Sequence, residues 1–584
     1  MISTILEILG SLGVFLYGMK VLSEGIQKVA GQKMRKFMET MTRNRCSGIM
    51  TGFLTTCLLQ SSSATTVIVV SFVNAGLLTL VESIGVIMGA NLGTTLTAWI
   101  IALIGKFSLS KIALPIIGIG LPCLFIGKDR VKSIGEVLIG FGLLFFGLGL
   151  LKQSVPDVQA MLDSDNAMIA ARATATLEWI KSVSGYGYFS LLIFLSLGVI
   201  LTLIVQSSSA AMAITVTLAV NGWIGFEESA AIVLGENIGT TVTAWLASLG
   251  ANLSARRAAR AHFMFNVLGV LWMLLVFYWF TPFVQQLGDM LPQSFRTEKH
   301  STDMGFDLAI FHSLFNALNI VLLIGFVPLI AAIVTRWVKA KGTESDAPRL
   351  KYISQNMLNL GELNLPEAEV ATKELASLTK RMFAGFSTVF ANPQEDLSAE
   401  VARLKEMEDE ADVLTHDITE YLVRCSAAEI GTHHAGEVAS MLRMVAELEE
   451  ISDCIYRLVI YTERKYKKKR EFTEETQEEV QKFAAMVSDY IDFYIANIFS
   501  KIGPETVDKA EKFEKQIIAL RKSLNKAAMK RMPTEDADVK TEMLNIDINN
   551  HLEKISNHAT NLISSAYYRQ HGDEVPEKYL EGYL

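Results

Sequence analysis

A chain of 584 residues in which 50% of the side chains are hydrophobic and 20% charged is too large and too apolar for a single soluble domain. Its formal net charge of −8 gives no reason to expect nucleic acid as a partner. Five scattered cysteines (Cys46, Cys57, Cys123, Cys425, Cys454) form no CxxC pair, which argues against a disulfide framework or a zinc site and leaves reduced thiols.

The N-terminus is apolar from the start, without a basic n-region or a clear cleavage site, and reads as a retained membrane helix over 3–25. From Ser47 to Gly105 the only charged residue is Glu82, whereas the last third alternates charge with Leu, Ile and Ala. This contrast predicts a membrane part over 1–335 and a soluble part behind it. Further spans are expected at 80–105, 110–127, 133–152, 229–250, 260–284 and 305–334. Segments 47–76 and 186–222 are equally apolar, but each carries Gln-Ser-Ser-Ser near its middle. Each is expected to be a re-entrant hairpin of two half-helices rather than one long helix.

Those tetrapeptides anchor an internal repeat. Gln60, Ser61, Ser62 and Ser63 precede an Asn-x-Gly-Thr-Thr element carrying Asn91, Thr94 and Thr95; Gln206, Ser207, Ser208 and Ser209 precede one carrying Asn237, Thr240 and Thr241. Gln and Asn are 31 residues apart in both copies, and the copies are offset by 146. Upstream, Glu7, Gly13 and Gly18 match Glu136, Gly142 and Gly147 at an offset of 129. Each repeat then holds three crossings and one hairpin, and an odd number of crossings inverts the second copy. The basic residues Lys28, Lys33, Arg35, Lys36, Arg43 and Arg45 place the loop after the first helix in the cytoplasm. Lys128, Arg130 and Lys132, then Arg256, Arg257 and Arg260, then Arg336, Lys339 and Lys341 fall on that same side, so the N-terminus is expected outside and the soluble part in the cytoplasm.

Polar side chains in hydrocarbon cost free energy unless they are paired or face a cavity. Half-helix N-termini and serine hydroxyls suit an oxyanion, while the amide and threonine oxygens are hard ligands suited to Na⁺. Neither motif segment holds Arg or Lys, so co-bound cations are a natural source of neutrality for a buried anion, although a neutral solute also suits these residues. Glu236, where the first copy has Ala90, reads as a gate or cation ligand, or as a residue near the interface. His262 with Asn266, and His312 with Asn316, share an i, i+4 spacing that suits interhelical hydrogen bonding or a proton or substrate role.

At these residues the chain resembles the sodium-dependent phosphate cotransporter family, whose hallmark is an inverted repeat with Gln-Ser-Ser-Ser in each half. The resemblance covers roughly 1–335. It implies Na⁺-driven transport of inorganic phosphate, with phosphate and sodium ions bound at Gln60–Ser63 and Gln206–Ser209, to which the Asn-x-Gly-Thr-Thr residues are added.

Gly342, Ser345, Pro348, Gly361 and Pro366 mark 336–366 as a linker. Beyond it, apolar residues recur at steps of three and four, predicting helices near 367–391, 397–426, 434–466, 472–502, 505–531 and 540–569. Leu448-Glu449-Glu450-Ile451-Ser452-Asp453 matches Leu552-Glu553-Lys554-Ile555-Ser556-Asn557 at an offset of 104, so two three-helix units are expected. This region resembles the PhoU-like domain, a helical module associated with phosphate regulation. That resemblance implies divalent metal ions on Glu/Asp-xxx-Asp pairs, here Glu408 with Asp412 and Glu449 with Asp453; a solvated acidic face is the alternative. The run Arg464 to Arg470 reads as a solvated helix end or a contact for anionic lipid.

The expected fold is all-α: a polytopic membrane protein of two inverted repeats with re-entrant hairpins (about 1–127 and 133–284), an extra helix at 305–334, and a cytoplasmic helical bundle at 367–584. The expected function is Na⁺-coupled phosphate transport in the cytoplasmic (inner) membrane, with a regulatory domain. Phosphate export or another oxyanion on the same scaffold is a second reading, and a membrane-anchored phosphate-signalling protein a third. Assembly as a homo-oligomer stays open. No P-loop, HExxH or Gly-x-Ser-x-Gly points to an enzyme.

Overall fold

The computed structural model describes residues 2–41, 44–74, 78–107, 110–126, 129–249, 251, 253–292, 300–339, 365–391, 397–426, 432–533 and 538–572. Among them all regular structure is helical. The chain divides into two units, Met1–Asn364 and Leu365–Leu584. Most of the expected linker (340–364) lies outside the described residues, and the second unit opens with a helix at Leu365, two residues before the expected boundary.

The first unit begins with α1 (Ile2–Met41), α2 (Arg45–Leu59), α3 (Ser62–Asn74), α4 (Leu80–Phe107), α5 (Ser110–Ile126) and α6 (Asp129–Ser154). The polar stretch between the repeats carries α7 (Val158–Leu162) and α8 (Ala167–Ser184). Then come α9 (Tyr188–Val205), α10 (Ser208–Val220), α11 (Phe226–Ala247), α12 (Leu253–Asp289), α13 (His300–Leu323) and α14 (Val327–Trp337). A single 3₁₀ turn at Ile324–Phe326, centred on Gly325 and followed by Pro328, interrupts what is otherwise one apolar run through α13 and α14. Where a loop was expected after residue 25, α1 continues to Met41, and Lys28 lies within it, bonded to Glu136 of α6 at 2.9 Å.

Among the described residues, six stretches are long and apolar enough to cross a membrane: Ser3–Val29, Leu80–Leu103, Arg130–Leu162, Tyr188–Val205, Leu253–Asp289 and Met304–Trp337. The expected spans at 110–127 and 229–250 are not among them. The first falls on α5, which has only 17 residues, and the second on α11, which carries Glu227, Glu228 and Glu236. Tyr188–Val205 is apolar enough to qualify, yet it is the first arm of a hairpin.

Close glycine contacts give the helix directions. A Cβ on Gly18 would lie 2.3 Å from the backbone N of Leu144, one on Gly25 2.8 Å from that of Val137, and one on Gly147 2.3 Å from that of Phe15. Residue numbers rise along α1 as they fall along α6, so these equivalent helices of the two repeats run antiparallel. That is the inversion expected from the odd crossing count. Within each repeat the first hairpin arm and the helix after the hairpin run parallel instead: Gly89 packs on Ile49 and Gly93 on Thr56, just as Gly235 packs on Leu195 and Gly239 on Thr202. Because α2 parallels α4 and α9 parallels α11, the intervening α3 and α10 must return to the face where the hairpin entered. Small residues allow this approach where apolar burial alone does not drive helices together.

The second unit has six helices: α15 (Leu365–Ala391), α16 (Ser398–Ser426), α17 (Thr432–Lys467), α18 (Glu474–Asn497), α19 (Pro504–Arg531) and α20 (Val539–His571). They form two three-helix sets whose third members, α17 and α20, pack on one another along the middle. In the basic run at the end of α17, Arg464, Lys467, Lys468 and Lys469 are exposed, as the solvated-end reading expects, and Lys465 is the exception. Lys465 is 3% exposed, its Nζ donates to Gln477 at 2.9 Å, and the rings of Phe390, Phe472 and Tyr466 surround it.

Candidate functional site

Each Gln-Ser-Ser-Ser motif is a helix stop followed by a helix start. Gln60 and Gln206 close α2 and α9 in the left-handed conformation, at φ 52° and 54°, with their N–H groups bonded to the Thr56 and Thr202 carbonyls at 2.8 Å in both copies. That conformation costs a non-glycine residue roughly 1–2 kcal/mol, so the same strain is held at both repeats. Ser61 and Ser207 then cap the next helix, accepting the N–H of Ala64 at 3.1 Å and of Ala210 at 3.2 Å. The N–H groups of the second and third serines precede the first intrahelical bond and stay available.

In the first copy the Thr56 hydroxyl donates to Thr65 at 2.9 Å across the turn, which folds α3 back on α2. The second copy has Ala211 in place of Thr65, and the Thr202 hydroxyl is buried without a partner.

The Asn-x-Gly-Thr-Thr elements lie inside α4 and α11. Thr94, Thr95, Thr240 and Thr241 each donate to a carbonyl of their own helix, at 2.7–3.1 Å. Their protons are thereby committed and their lone pairs remain, which suits a cation. The two asparagines differ. Asn91 donates to Asn266 at 2.8 Å and meets the His262 Nε2 at 3.2 Å, so the expected interhelical role of His262 and Asn266 is found here. Asn237 donates within its own helix, to the Val233 carbonyl at 3.0 Å.

A narrow cavity is lined by residues of both repeats. Ser62, Asn91 and Thr94 line it from the first repeat, and Ser208, Ser209, Asn237, Thr240 and Glu236 from the second. Among the described residues, no hydrogen bond engages the hydroxyls of Ser62, Ser208 or Ser209. Glu236 is 2% exposed and accepts a hydrogen bond from Thr215 at 2.7 Å, so it is buried within the unit. Neither Lys nor Arg lines the cavity.

The remaining motif residues, Gln60, Ser61, Ser63 and Thr95 in the first copy and Gln206, Ser207 and Thr241 in the second, do not line it. Gln60 turns its amide onto the Cys57 carbonyl at 2.6 Å, and Gln206 is exposed. Thr97 and Met212 line the cavity without having been singled out, and so does His312, noted only for its spacing to Asn316. Thr97 lies one helical turn beyond Thr94, and Met212 is the repeat mate of Thr66; helix period and repeat offset are the signals that mark them.

In the second unit, carboxylate oxygens of Glu408, Asp412 and Asp453 lie within 4.8 Å of one another, whereas Glu449 stands outside that set. Burial, reinforced by neighbouring carboxylates, raises Asp412, Asp453 and Glu449 above the ordinary carboxylate range. Glu408 is already paired with Lys405, which also reaches Asp409 at 3.0 Å. The cluster thus carries its own cation, and the divalent ion that the resemblance implied is not assigned to it. The equivalent positions of the second set are Lys512, Gln516, Glu553 and Asn557, with Glu553 paired to Arg521 at 3.2 Å.

Comparison with known proteins completes the description. A family model described as Na⁺/Pi-cotransporter matches residues 14–153 and 174–292, and one described as PhoU domain matches 372–461. The "Putative inorganic phosphate export protein YjbB" of Salmonella typhimurium is 26% identical over 458 residues, 78% of this chain and 77% of that protein. The "Uncharacterized protein YqeW" of Bacillus subtilis is 32% identical over 316 residues, covering 54% of this chain and 91% of its own length. Human "Sodium-dependent phosphate transport protein 2B" is 40% identical over 104 residues, 18% of this chain and 15% of that protein. No solved structure matches.

Proposed function

The chain belongs to the Na⁺/Pi-cotransporter family, and on that footing we propose that it carries inorganic phosphate across the cytoplasmic membrane coupled to Na⁺, under regulation by its PhoU domain. One observation supports this reading above the rest. Free hydroxyl donors and committed-proton oxygen acceptors from both repeats share one cavity that holds no cationic side chain. Ser62, Ser208 and Ser209 donate to the phosphate oxygens, aided by the first N–H groups of α3 and α10. Oxygens of Asn91, Thr94, Asn237 and Thr240 face the accompanying Na⁺. Gln60, Ser61, Gln206 and Ser207 act one step back, by fixing where the half-helices stop and start. With only ions to neutralise the oxyanion, movement of phosphate and movement of Na⁺ become one event.

The test is radiolabelled phosphate uptake into proteoliposomes with and without an inward Na⁺ gradient. Accumulation that requires the gradient supports the reading; Na⁺-independent accumulation assigns coupling to another ion and overturns it. Export is the second reading, because relatives named for phosphate export align with 78% of this chain. Loading phosphate inside and keeping the Na⁺ gradient inward separates the two: net efflux that persists against that gradient favours export.

A further inference from the structure

The two halves of the cavity are related by the 146-residue offset, yet their chemistry has diverged at two positions together. Glu236 and its hydrogen-bond donor Thr215 occupy the places of Ala90 and Val69 in the first repeat. A buried carboxylate and the hydroxyl that holds it are therefore present in one half, and an apolar pair in the other. A second observation lies opposite. His312 is 4% exposed, lines the same cavity from α13, and its Nδ1 has no partner among the described residues, whereas the Nε2 of His262 on α12 is engaged by Asn91. Glu236 thus shares the cavity with an imidazole that no described side chain holds in place.

The surroundings of Glu236 offer no fixed positive charge. α3, α9, α10, α12 and α13 pack against α11. α3 and α10 carry no ionisable side chain, and α9 only Tyr188, at its first residue. From α12 come His262, bonded to Asn91, Arg256, Arg257 and Arg260 in its first turns, and Tyr278 and Asp289 further along, none of which lines the cavity. α13 brings His312, which lines it, and Asp307, which does not, and Glu227 and Glu228 in the first turn of α11 itself stay outside it as well. A phosphate in this cavity would meet an ionised carboxylate with nothing between them to offset the repulsion.

We propose that Glu236 is the coupling carboxylate: phosphate occupies the cavity only when Glu236 is neutralised by a proton or by a bound Na⁺, and this requirement resides in the second repeat alone. The inference rests on the cavity being the phosphate site. It adds that protons and Na⁺ compete for one residue, so that acid replaces part of the Na⁺ requirement.

The experiment is phosphate–phosphate exchange in proteoliposomes with equal phosphate on both sides, measured from pH 6 to pH 8.5 with and without Na⁺. It compares the wild type with Glu236→Gln, Glu236→Asp and Glu236→Ala. Phosphate titrates identically in all four, so differences between profiles report the protein. In the absence of Na⁺, wild-type exchange should fall with rising pH more steeply than that of Glu236→Gln, by up to about tenfold per pH unit, the limit for one proton. Added Na⁺ should flatten the wild-type profile. Glu236→Gln should need less Na⁺ for half-maximal exchange, and Glu236→Asp should restore the wild-type pattern. Glu236→Ala, which copies the side chain of the first repeat, gives the same reading if the Gln variant fails to fold. Wild-type dependence on both pH and Na⁺ in the neutral variants overturns the proposal. Exchange indifferent to Na⁺ in every protein, but with the steep pH profile lost in Glu236→Gln, would reject Na⁺ coupling and leave Glu236 as the carrier of a proton.

Discussion

Adjacent serines in one motif have different work, and substitution separates it. Ser62 and Ser208 present free hydroxyls to the cavity, whereas Ser61 and Ser207 cap α3 and α10. Loss of a hydrogen bond to a charged ligand costs about 1.5–3 kcal/mol. Ser62→Ala and Ser208→Ala should each raise the phosphate concentration for half-maximal uptake by about tenfold or more at unchanged thermal stability. Ser61→Ala and Ser207→Ala should instead cost about 1 kcal/mol of stability and leave that concentration nearly unchanged. Wild-type kinetics in both cavity variants would remove phosphate from this site. The glutamines show the same division: the backbone of Gln60 and Gln206 ends a helix under strain, and their side chains stay outside the cavity.

Between helices, distance decides which glycine matters. A Cβ on Gly18 would sit 2.3 Å from a backbone nitrogen of α6, while one on Gly13 would meet nothing within 4 Å. Gly18→Ala must push α1 and α6 apart and should destabilise by about 1–3 kcal/mol. Gly13→Ala should be neutral, or stabilising by up to about 1 kcal/mol through helix propensity. Thermal melts in one detergent compare the two directly, and equal effects would refute the interface.

The end of α17 makes a pH-dependent prediction. Burial lowers Lys465 from its ordinary 10.5 to about 8. Between those values the unfolded chain holds a proton that the native one lacks, so this residue makes stability rise with pH across that window; below about pH 8 the burial cost is fully present and constant. Lys465→Met should therefore raise the melting temperature of the PhoU domain at pH 7, with the advantage shrinking toward pH 10. A stabilisation that persists unchanged at pH 10 would show that packing, rather than charge, is responsible.

For the molecule as a whole, the antiparallel pairing of α1 with α6 shows inversion but not which face meets the cytoplasm. The basic residues supply that expectation. Cys46 is exposed in the first turn of α2, on the face where the first hairpin enters, whereas Cys425 and Cys454 are buried. A membrane-impermeant maleimide should label Cys46 in inside-out vesicles and not in right-side-out ones, with Cys46→Ser as the control. Labelling from the outside would invert the orientation expected from the basic residues.

Apolar runs, periodicity and the two repeat offsets were enough to predict an all-helical chain in two parts, with hairpins at Gln-Ser-Ser-Ser and six helices in the second part. Those features depend on local composition and on side-chain period, which a one-dimensional string carries in full. What the string did not carry is which neighbours in a motif face inward. Ser62 and Ser61 are one residue apart, and only the left-handed turn at Gln60 decides that one lines a cavity while the other caps a helix. Nor could spacing reveal that Lys465 is enclosed by the rings of Phe390 and Phe472, or that Thr215 comes to hold Glu236. Such pairings arise between separate helices, where packing, rather than any local preference, selects the partner.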